Sequence, residues 1–224
     1  MVRKIAFGFL WLGFVIYAFF LAPPEQPGTF DLIKNLSTGQ WEGVNPLVIA
    51  LFNLMGIWPL IYSAVVFIDG RGQKIPAWLF ATASFGVGVF ALLPYLALRK
   101  PNNQFVGKKN ILLKLLDSRV TGIVLTVATV LLVAYGFKGG DWGNFVQQWQ
   151  TNRFINVMSL DFSLLCLLFP ALLGDDMARR SWKNPQIFWL IALIPLFGPL
   201  IYLSVRPPLQ EVCTESISKQ PAVN

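Results

Sequence analysis

Six apolar stretches dominate this sequence, and each is about as long as the hydrocarbon core of a bilayer is thick. Only 13% of the residues are charged, against about 25% in a soluble domain. Because backbone polar groups in lipid must be bonded within their own segment, each stretch is expected to be a helix. The sequence therefore predicts an all-α fold, a polytopic membrane bundle of about six transmembrane helices. The predicted spans are 5–22, 47–68, 77–98, 120–137, 154–174 and 187–205.

The residue types that build common metal and haem sites are scarce. Histidine is absent, which excludes a bis-His haem, a His-ligated metal and a His general base. The two cysteines, Cys166 and Cys213, are too few for a Cys-rich zinc or iron–sulfur site. We therefore predict no cofactor and no metal.

The net charge of +7 would suggest nucleic acid in a soluble protein. Here the cations flank the apolar stretches, where Lys and Arg set topology and meet lipid phosphates. The expected partners are membrane lipids and other membrane proteins, and not nucleic acid.

The segments between the spans also carry structure. The first stretch ends at Ala22 before two prolines and without a small-x-small cleavage motif, so we predict a retained helix. Segments 30–41 and 142–153 have helical apolar spacing and tryptophans, which predicts two short interfacial helices. Segment 110–117 is amphipathic and leads into the fourth span. One membrane domain is expected over 1–208, followed by a polar flexible tail, 209–224.

The two halves of the sequence resemble each other, with offsets of 107 to 111 residues. The matched pairs are Pro59 and Pro170, Asp69 and Asp176, Arg71 and Arg179, Lys74 and Lys183, Pro76 and Pro185, Phe80 and Trp189, Tyr95 and Tyr202, Arg99 and Arg206, and Pro101 and Pro208. Units 1–101 and 110–208 would each contain three spans. Because three is odd, the second unit would be inverted, giving a 3+3 inverted repeat. Alternatively, any two membrane hairpins share prolines, aromatics and cations.

The six-span topology predicts little charge asymmetry. It places eight Lys and Arg on one face and ten on the other. The third loop carries the densest basic cluster, which favours a cytoplasmic position for that loop, with both termini on the opposite face.

Asp161 is the carboxylate that the sequence places within a span. An ionised Asp near the centre of a bilayer costs about 2.5–3.5 kcal/mol, so such residues usually face a cavity or a partner. One interpretation is a proton or cation site with Asn53 and Asn156. The other is a shallower Asp161, buried near the start of its helix against such polar groups.

A second candidate site combines Asp175, Asp176, Arg179 and Arg180 with the first-half residues Asp69 and Arg71. Membrane prenyl and phospholipid transferases clamp magnesium on a diphosphate with paired Asp-rich motifs. No full Asp-rich motif is present, so we favour acids and bases that neutralise one another in an interfacial turn.

Two stretches carry a family resemblance. The first runs from Phe20 to Pro24, through Gly43 to Pro46, and on to residues 52–56; the second runs from Ile194 to Leu203 and on to 206–208. The chain resembles uncharacterised integral membrane proteins of cyanobacteria with chloroplast relatives. This resemblance implies a thylakoid or plasma membrane and an accessory role around photosynthetic complexes, and it transfers no catalytic residues.

The sequence shows no nucleophile with a base and no metal constellation. It favours a non-enzymatic accessory or assembly protein of membrane complexes. The alternative is a small-solute or ion transporter that uses Asp161. Interruptions of the spans at Pro94, Pro195, Gly198 and Pro199 favour that alternative, although membrane helices also tolerate proline for packing alone. An enzyme that modifies lipids or pigments ranks third.

Overall fold

The computed structural model describes residues 2–105, 107–182 and 184–209, and within these ranges the secondary structure is helical, without strands. This confirms the all-α class. The helices are α1 (Val2–Ile16), extended by a π-helical turn (Tyr17–Leu21), α2 (Thr29–Thr38), α3 (Pro46–Asp69), α4 (Ala77–Val87), α5 (Val89–Leu98), α6 (Ile111–Asp117), α7 (Arg119–Gly139), α8 (Trp142–Thr151), α9 (Arg153–Leu168), α10 (Pro170–Arg179), α11 (Pro185–Leu193) and α12 (Phe197–Val205).

Four helices among the described residues are long and apolar enough to cross a membrane. They are α1 with its π turn, α3 with its 3-10 extension, α7, and α9 continued by α10. These elements coincide with the first, second, fourth and fifth predicted spans. Four of the six apolar stretches that predict a membrane protein therefore form helices long enough to cross a membrane.

The third predicted span is a helical hairpin, which we call the first hairpin (α4 and α5). The Gln73 side chain, before α4, donates to the Lys100 carbonyl oxygen at 2.7 Å and accepts from the Lys100 N–H at 2.8 Å. The chain therefore enters and leaves this segment at the same place. Gly88 forms the tip, with a φ of 52°. Helices of 11 and 10 residues rise only about 15 Å each, half of a bilayer core.

The sixth predicted span forms the second hairpin (α11 and α12). It breaks at Ile194–Leu196, where Leu196 has a φ of 63°. Before the hairpin, Arg180 donates from Nη1 to the carbonyl oxygen of Pro207, which follows it, at 2.6 Å. The six-span prediction is therefore not confirmed for these two segments. Both segments are apolar enough for lipid. The break in each one turns the chain back to the end of the molecule at which the segment begins.

The two ends of the molecule differ in character. At the end we call the basic end, Asp69, Arg99, Asp176 and Arg206 lie at the bases of the hairpins. Arg3 donates to the Arg99 carbonyl oxygen, so α1 also begins there. At the other end, the α2–α8 end, the predicted helices at 30–41 and 142–153 are present. Asp141 caps α8 by accepting from the Asn144 N–H, whereas α2 begins after Gly28 without a side-chain cap.

The core is centred on α3, which packs against α9 and both hairpins. Trp58 and Tyr62 on α3 are fully buried, and the Tyr62 hydroxyl donates to the Leu165 carbonyl oxygen at 2.7 Å. α7 approaches α12 closely at Gly122, where a Cβ would lie 2.6 Å from the Leu203 carbonyl carbon. A glycine is therefore required at this crossing.

The predicted tail, 209–224, begins with Leu209, which is buried against Ile68 and Leu113. Residues 210–224 lie outside the described residues, as does Lys183 of the predicted repeat.

Candidate functional site

A cavity of about 590 Å³ lies between the tip of the first hairpin and the α2–α8 end. Its walls come from the π turn of α1, from α2, α3 and the first half of α9, and from residues 84–88 and 90 at the hairpin tip. Glu25, Thr29 and Arg153 lie toward the α2–α8 end. Asp161 and Gly88 lie at the hairpin tip. Much of the remaining lining is aromatic: Phe19, Phe52, Phe85, Phe90 and Phe154.

Asp161 joins the hairpin tip to α9. Its Oδ1 accepts a hydrogen bond from the Val89 N–H at 2.8 Å. Val89 is the first residue of α5, so the carboxylate caps the helix N-terminus, where the helix dipole favours negative charge. Across the described part of the chain no Lys or Arg is ion-paired with this buried carboxylate. An acidic group without a cationic partner therefore borders an apolar cavity.

Gly88 allows this contact. A Cβ at this position would overlap both carboxylate oxygens of Asp161, and the positive φ is strained for any other residue. The hairpin tip and Asp161 can thus approach each other only with glycine here.

The predicted polar partners of Asp161 are engaged elsewhere. Asn53 donates to the Ile49 carbonyl oxygen of its own helix at 2.8 Å. Asn156 accepts from the Tyr17 hydroxyl at 2.9 Å and donates to the Trp149 carbonyl oxygen at 2.9 Å. Neither amide lines the cavity, so the predicted Asp161–Asn53–Asn156 constellation is not formed. Asn156 instead holds the π turn of α1 against α8 and α9.

The candidate loop residues lie at the basic end, in a buried ion-pair network. Asp69 accepts from the Tyr95 hydroxyl at 2.5 Å and is bonded to Arg99 through both carboxylate oxygens, at 2.5 and 2.7 Å. Asp175 also pairs with Arg99. Arg71 is exposed.

The second hairpin repeats this arrangement. Asp176 accepts from the Tyr202 hydroxyl at 2.6 Å and pairs with Arg206 at 3.3 Å and Arg180 at 2.9 Å. In both hairpins the tyrosine follows the aspartate by 26 residues and the arginine follows it by 30.

Arg179 joins the two arrangements. It pairs with Asp69 at 2.9 Å and with Asp176 at 3.4 Å, and it also donates to the Asn102 carbonyl oxygen. Both aspartates therefore lie at the same end of the molecule. The predicted inverted repeat would place them on opposite faces, so it is not confirmed.

Asp117 extends the network to α6. Arg180 Nη2 approaches Asp117 Oδ1 at 2.7 Å without hydrogen-bond alignment, and Lys109 pairs with Asp117 at 3.0 Å. Burial by itself acts to lower the pKa of Arg180, but Asp176 and Asp117 outweigh burial and raise the pKa above its usual value. For Arg206 burial prevails and lowers the pKa, although Asp176 opposes it. The network thus consists of paired charges.

The network does not form a metal site of the kind considered from the sequence. Within the described ranges no group of three acidic, histidine or cysteine residues could hold a metal ion. Asp69, Asp175 and Asp176 each contact a guanidinium, which is the pairing that mutual neutralisation predicts.

Several residues of both sites were not predicted as site residues. The sequence identified Tyr95, Tyr202, Arg99 and Arg206 as repeat matches, and their common spacing from an aspartate was the available signal. Nothing in the sequence indicated that Asp161 would accept a hydrogen bond from the Val89 N–H, because the contact joins residues 72 positions apart.

The chain matches no protein-family model, no curated protein and no solved structure.

Proposed function

We propose that this chain is a solute carrier of the membrane, with its binding site in the cavity that Asp161 borders. The observation that carries this proposal is the cavity itself, about 590 Å³ of largely apolar space that ends at an unpaired carboxylate. Pockets of this volume with a few convergent polar groups accommodate small ligands. An acidic residue at membrane depth, facing a cavity, is typical of substrate or ion pathways.

The test blocks the cavity and measures binding and flux. Gly86 lines the cavity, and a Cβ there would have open space, so Gly86→Trp would place an indole in the site. Gly8 on α1 has the same open space but lies outside the cavity lining, which makes Gly8→Trp the matched control. Three probes of one shape are used: benzyltrimethylammonium, its neutral carbon isostere neopentylbenzene, and benzylsulfonate.

We expect saturable binding of at least one probe to the purified wild type and to Gly8→Trp, and a loss of about tenfold or more in Gly86→Trp. Uptake of the two charged probes into proteoliposomes is expected to be lower with Gly86→Trp than with the wild type or Gly8→Trp. Absence of saturable binding to the wild type, or equal binding by both tryptophan variants, would remove the proposal.

The accessory role around membrane complexes stays a prediction from the sequence, and we propose it second. A cyanobacterial thylakoid or plasma membrane is the corresponding proposed location. The expected result is co-migration with a larger complex in native gels after mild detergent extraction. A lone monomer, with no complex altered by deletion of the gene, contradicts it.

We also propose that the chain arose from a duplicated unit of two spans and one hairpin, with both copies in the same orientation. The matching Asp–Tyr–Arg spacing supports this, as does the equivalent position of α2 and α8 at one end. A second support is the packing of α1 on the first hairpin and of α7 on the second.

A further inference from the structure

The chemistry of the cavity lining narrows the class of ligand, given the proposed function. We propose that the cavity binds an organic cation, with an ammonium group beside Asp161 and an apolar body among the phenylalanines. Two independent features of the lining point to the same charge. One is the carboxylate, and the other is the density of aromatic rings.

The carboxylate is the first feature. Asp161 is 6% exposed, and its hydrogen bond in the described structure comes from a single backbone N–H. A buried carboxylate offers about four acceptor positions in total, so one hydrogen bond leaves most of its capacity unused. In a low-dielectric cavity a cation is the ligand group that most strongly compensates such a charge.

The aromatic rings are the second feature. Five phenylalanines line the cavity, from α1, α3, the hairpin tip, α5 and α9. The faces of aromatic rings attract cations, and desolvated quaternary ammonium groups are the ligands that surround themselves with such rings. A neutral ligand of the same shape would gain the apolar contacts but neither electrostatic interaction.

The charges around the cavity are consistent with this assignment. Glu25 adds a second carboxylate toward the α2–α8 end. The one guanidinium in the lining, Arg153, donates from Nε to the Pro23 carbonyl oxygen at 3.0 Å and so is held at the start of α9, eight residues before Asp161. No Lys or Arg occurs in residues 84–90 of the hairpin tip, which faces Asp161.

The hairpin tip gives the site a specific geometry. Because Asp161 caps α5 through Oδ1, a ligand cation that contacts Oδ2 would leave this cap intact. Asp161→Asn would keep an oxygen that can accept from the Val89 N–H, while removing the negative charge. This variant therefore separates the charge of the site from its structure.

The experiment measures the dissociation constants of the benzyltrimethylammonium and neopentylbenzene probes for the full chain in one detergent. We expect the wild type to bind the ammonium at least about tenfold more tightly than the isostere. Asp161→Asn reduces this ratio to about one while keeping the affinity for the isostere. Asp31→Asn, an exposed carboxylate on α2 outside the cavity lining, keeps the wild-type ratio.

The outcomes distinguish this inference from the proposed function. Equal binding of the two probes by the wild type, or tighter binding of benzylsulfonate, overturns the organic cation and leaves a cavity that binds small molecules. Binding of no probe overturns both.

If Asp161→Asn does not fold, the ratio of the two dissociation constants in the wild type still tests the inference. Phe85→Leu, which removes one ring at the tip, is expected to lower the affinity for the ammonium probe selectively.

Discussion

Single residues in this protein matter most where a buried charge is shared between two parts of the chain. Arg179 is the clearest case, because it pairs with Asp69 of the first half and Asp176 of the second, and all three side chains are fully buried. A buried charge that loses its partner is far more costly than a broken surface pair. Arg179 thus joins the two halves at the basic end, beside the pair that Arg99 forms with Asp175.

Arg179→Gln is expected to destabilise the protein by about 3–5 kcal/mol, because it leaves two buried carboxylates with fewer cationic partners. The measurement is the thermal midpoint of the purified protein in detergent. Arg71→Gln is the control, since Arg71 is exposed and is matched to Arg179 in the sequence repeat. Equal midpoints for the two variants would show that Arg179 does not hold the halves together.

At the scale of elements, the two hairpins decide the architecture. Each consists of two helices of 9 to 11 residues that share an end of the molecule, and each is folded by a short break with positive φ. The first break lies at Gly88 and not at Pro94, which remains inside α5. The tip of the first hairpin is fixed by one hydrogen bond to Asp161 and forms a wall of the cavity.

Gly88→Ala is expected to cost about 1–3 kcal/mol, since the new Cβ meets Asp161 and the backbone has a positive φ. Gly86→Ala serves as the control: this residue is helical with open space around it, so alanine should stabilise α4 by about 0.4–1 kcal/mol. Thermal midpoints in detergent measure both changes. A Gly88→Ala protein as stable as Gly86→Ala would contradict the tip geometry.

For the whole molecule, the hairpins change the balance of charge between its two ends. Three described Lys and Arg lie at the α2–α8 end, namely Lys34, Lys138 and Arg153. Thirteen lie at the basic end: Arg3, Lys4, Arg71, Lys74, Arg99, Lys100, Lys108, Lys109, Lys114, Arg119, Arg179, Arg180 and Arg206. The near balance of eight against ten expected from six spans thus becomes a strong asymmetry. By the positive-inside rule, we expect the basic end to face the cytoplasm. This end holds the third loop and also the beginning of α1, whereas the sequence predicted the termini on the face opposite that loop.

This topology is tested with single cysteines in a chain whose Cys166 and Cys213 are replaced by serine. Lys74→Cys and Lys100→Cys flank the first hairpin, and both positions are exposed. We expect an impermeant thiol reagent to label both from the cytoplasmic side, and Gln147→Cys on α8 from the other side. Labelling of positions 74 and 100 from opposite sides would instead mean that α4 and α5 cross the membrane.

The amino-acid sequence by itself determined that most of this chain is apolar enough for lipid and that its fold is helical. It also determined that short helices lie between the long apolar stretches. These properties follow from local composition and periodicity, which are visible in segments between one helical turn and one membrane thickness in length. The matched spacing in the sequence also paired Asp69, Tyr95 and Arg99 of the charged network with Asp176, Tyr202 and Arg206. Asp161 stood out because a carboxylate in an apolar stretch is rare.

Only the tertiary structure decided which apolar stretches form one long helix and which fold back. An apolar stretch of 22 residues satisfies its backbone equally well as one helix or as two helices that pack against each other. The choice depends on contacts between distant residues, such as Gln73 with Lys100 and Val89 with Asp161. The pairing of Arg179 with Asp69 and Asp176 placed the two equivalent aspartates at one end of the molecule. Tertiary packing also decided that Asp161 borders a cavity without Asn53 or Asn156.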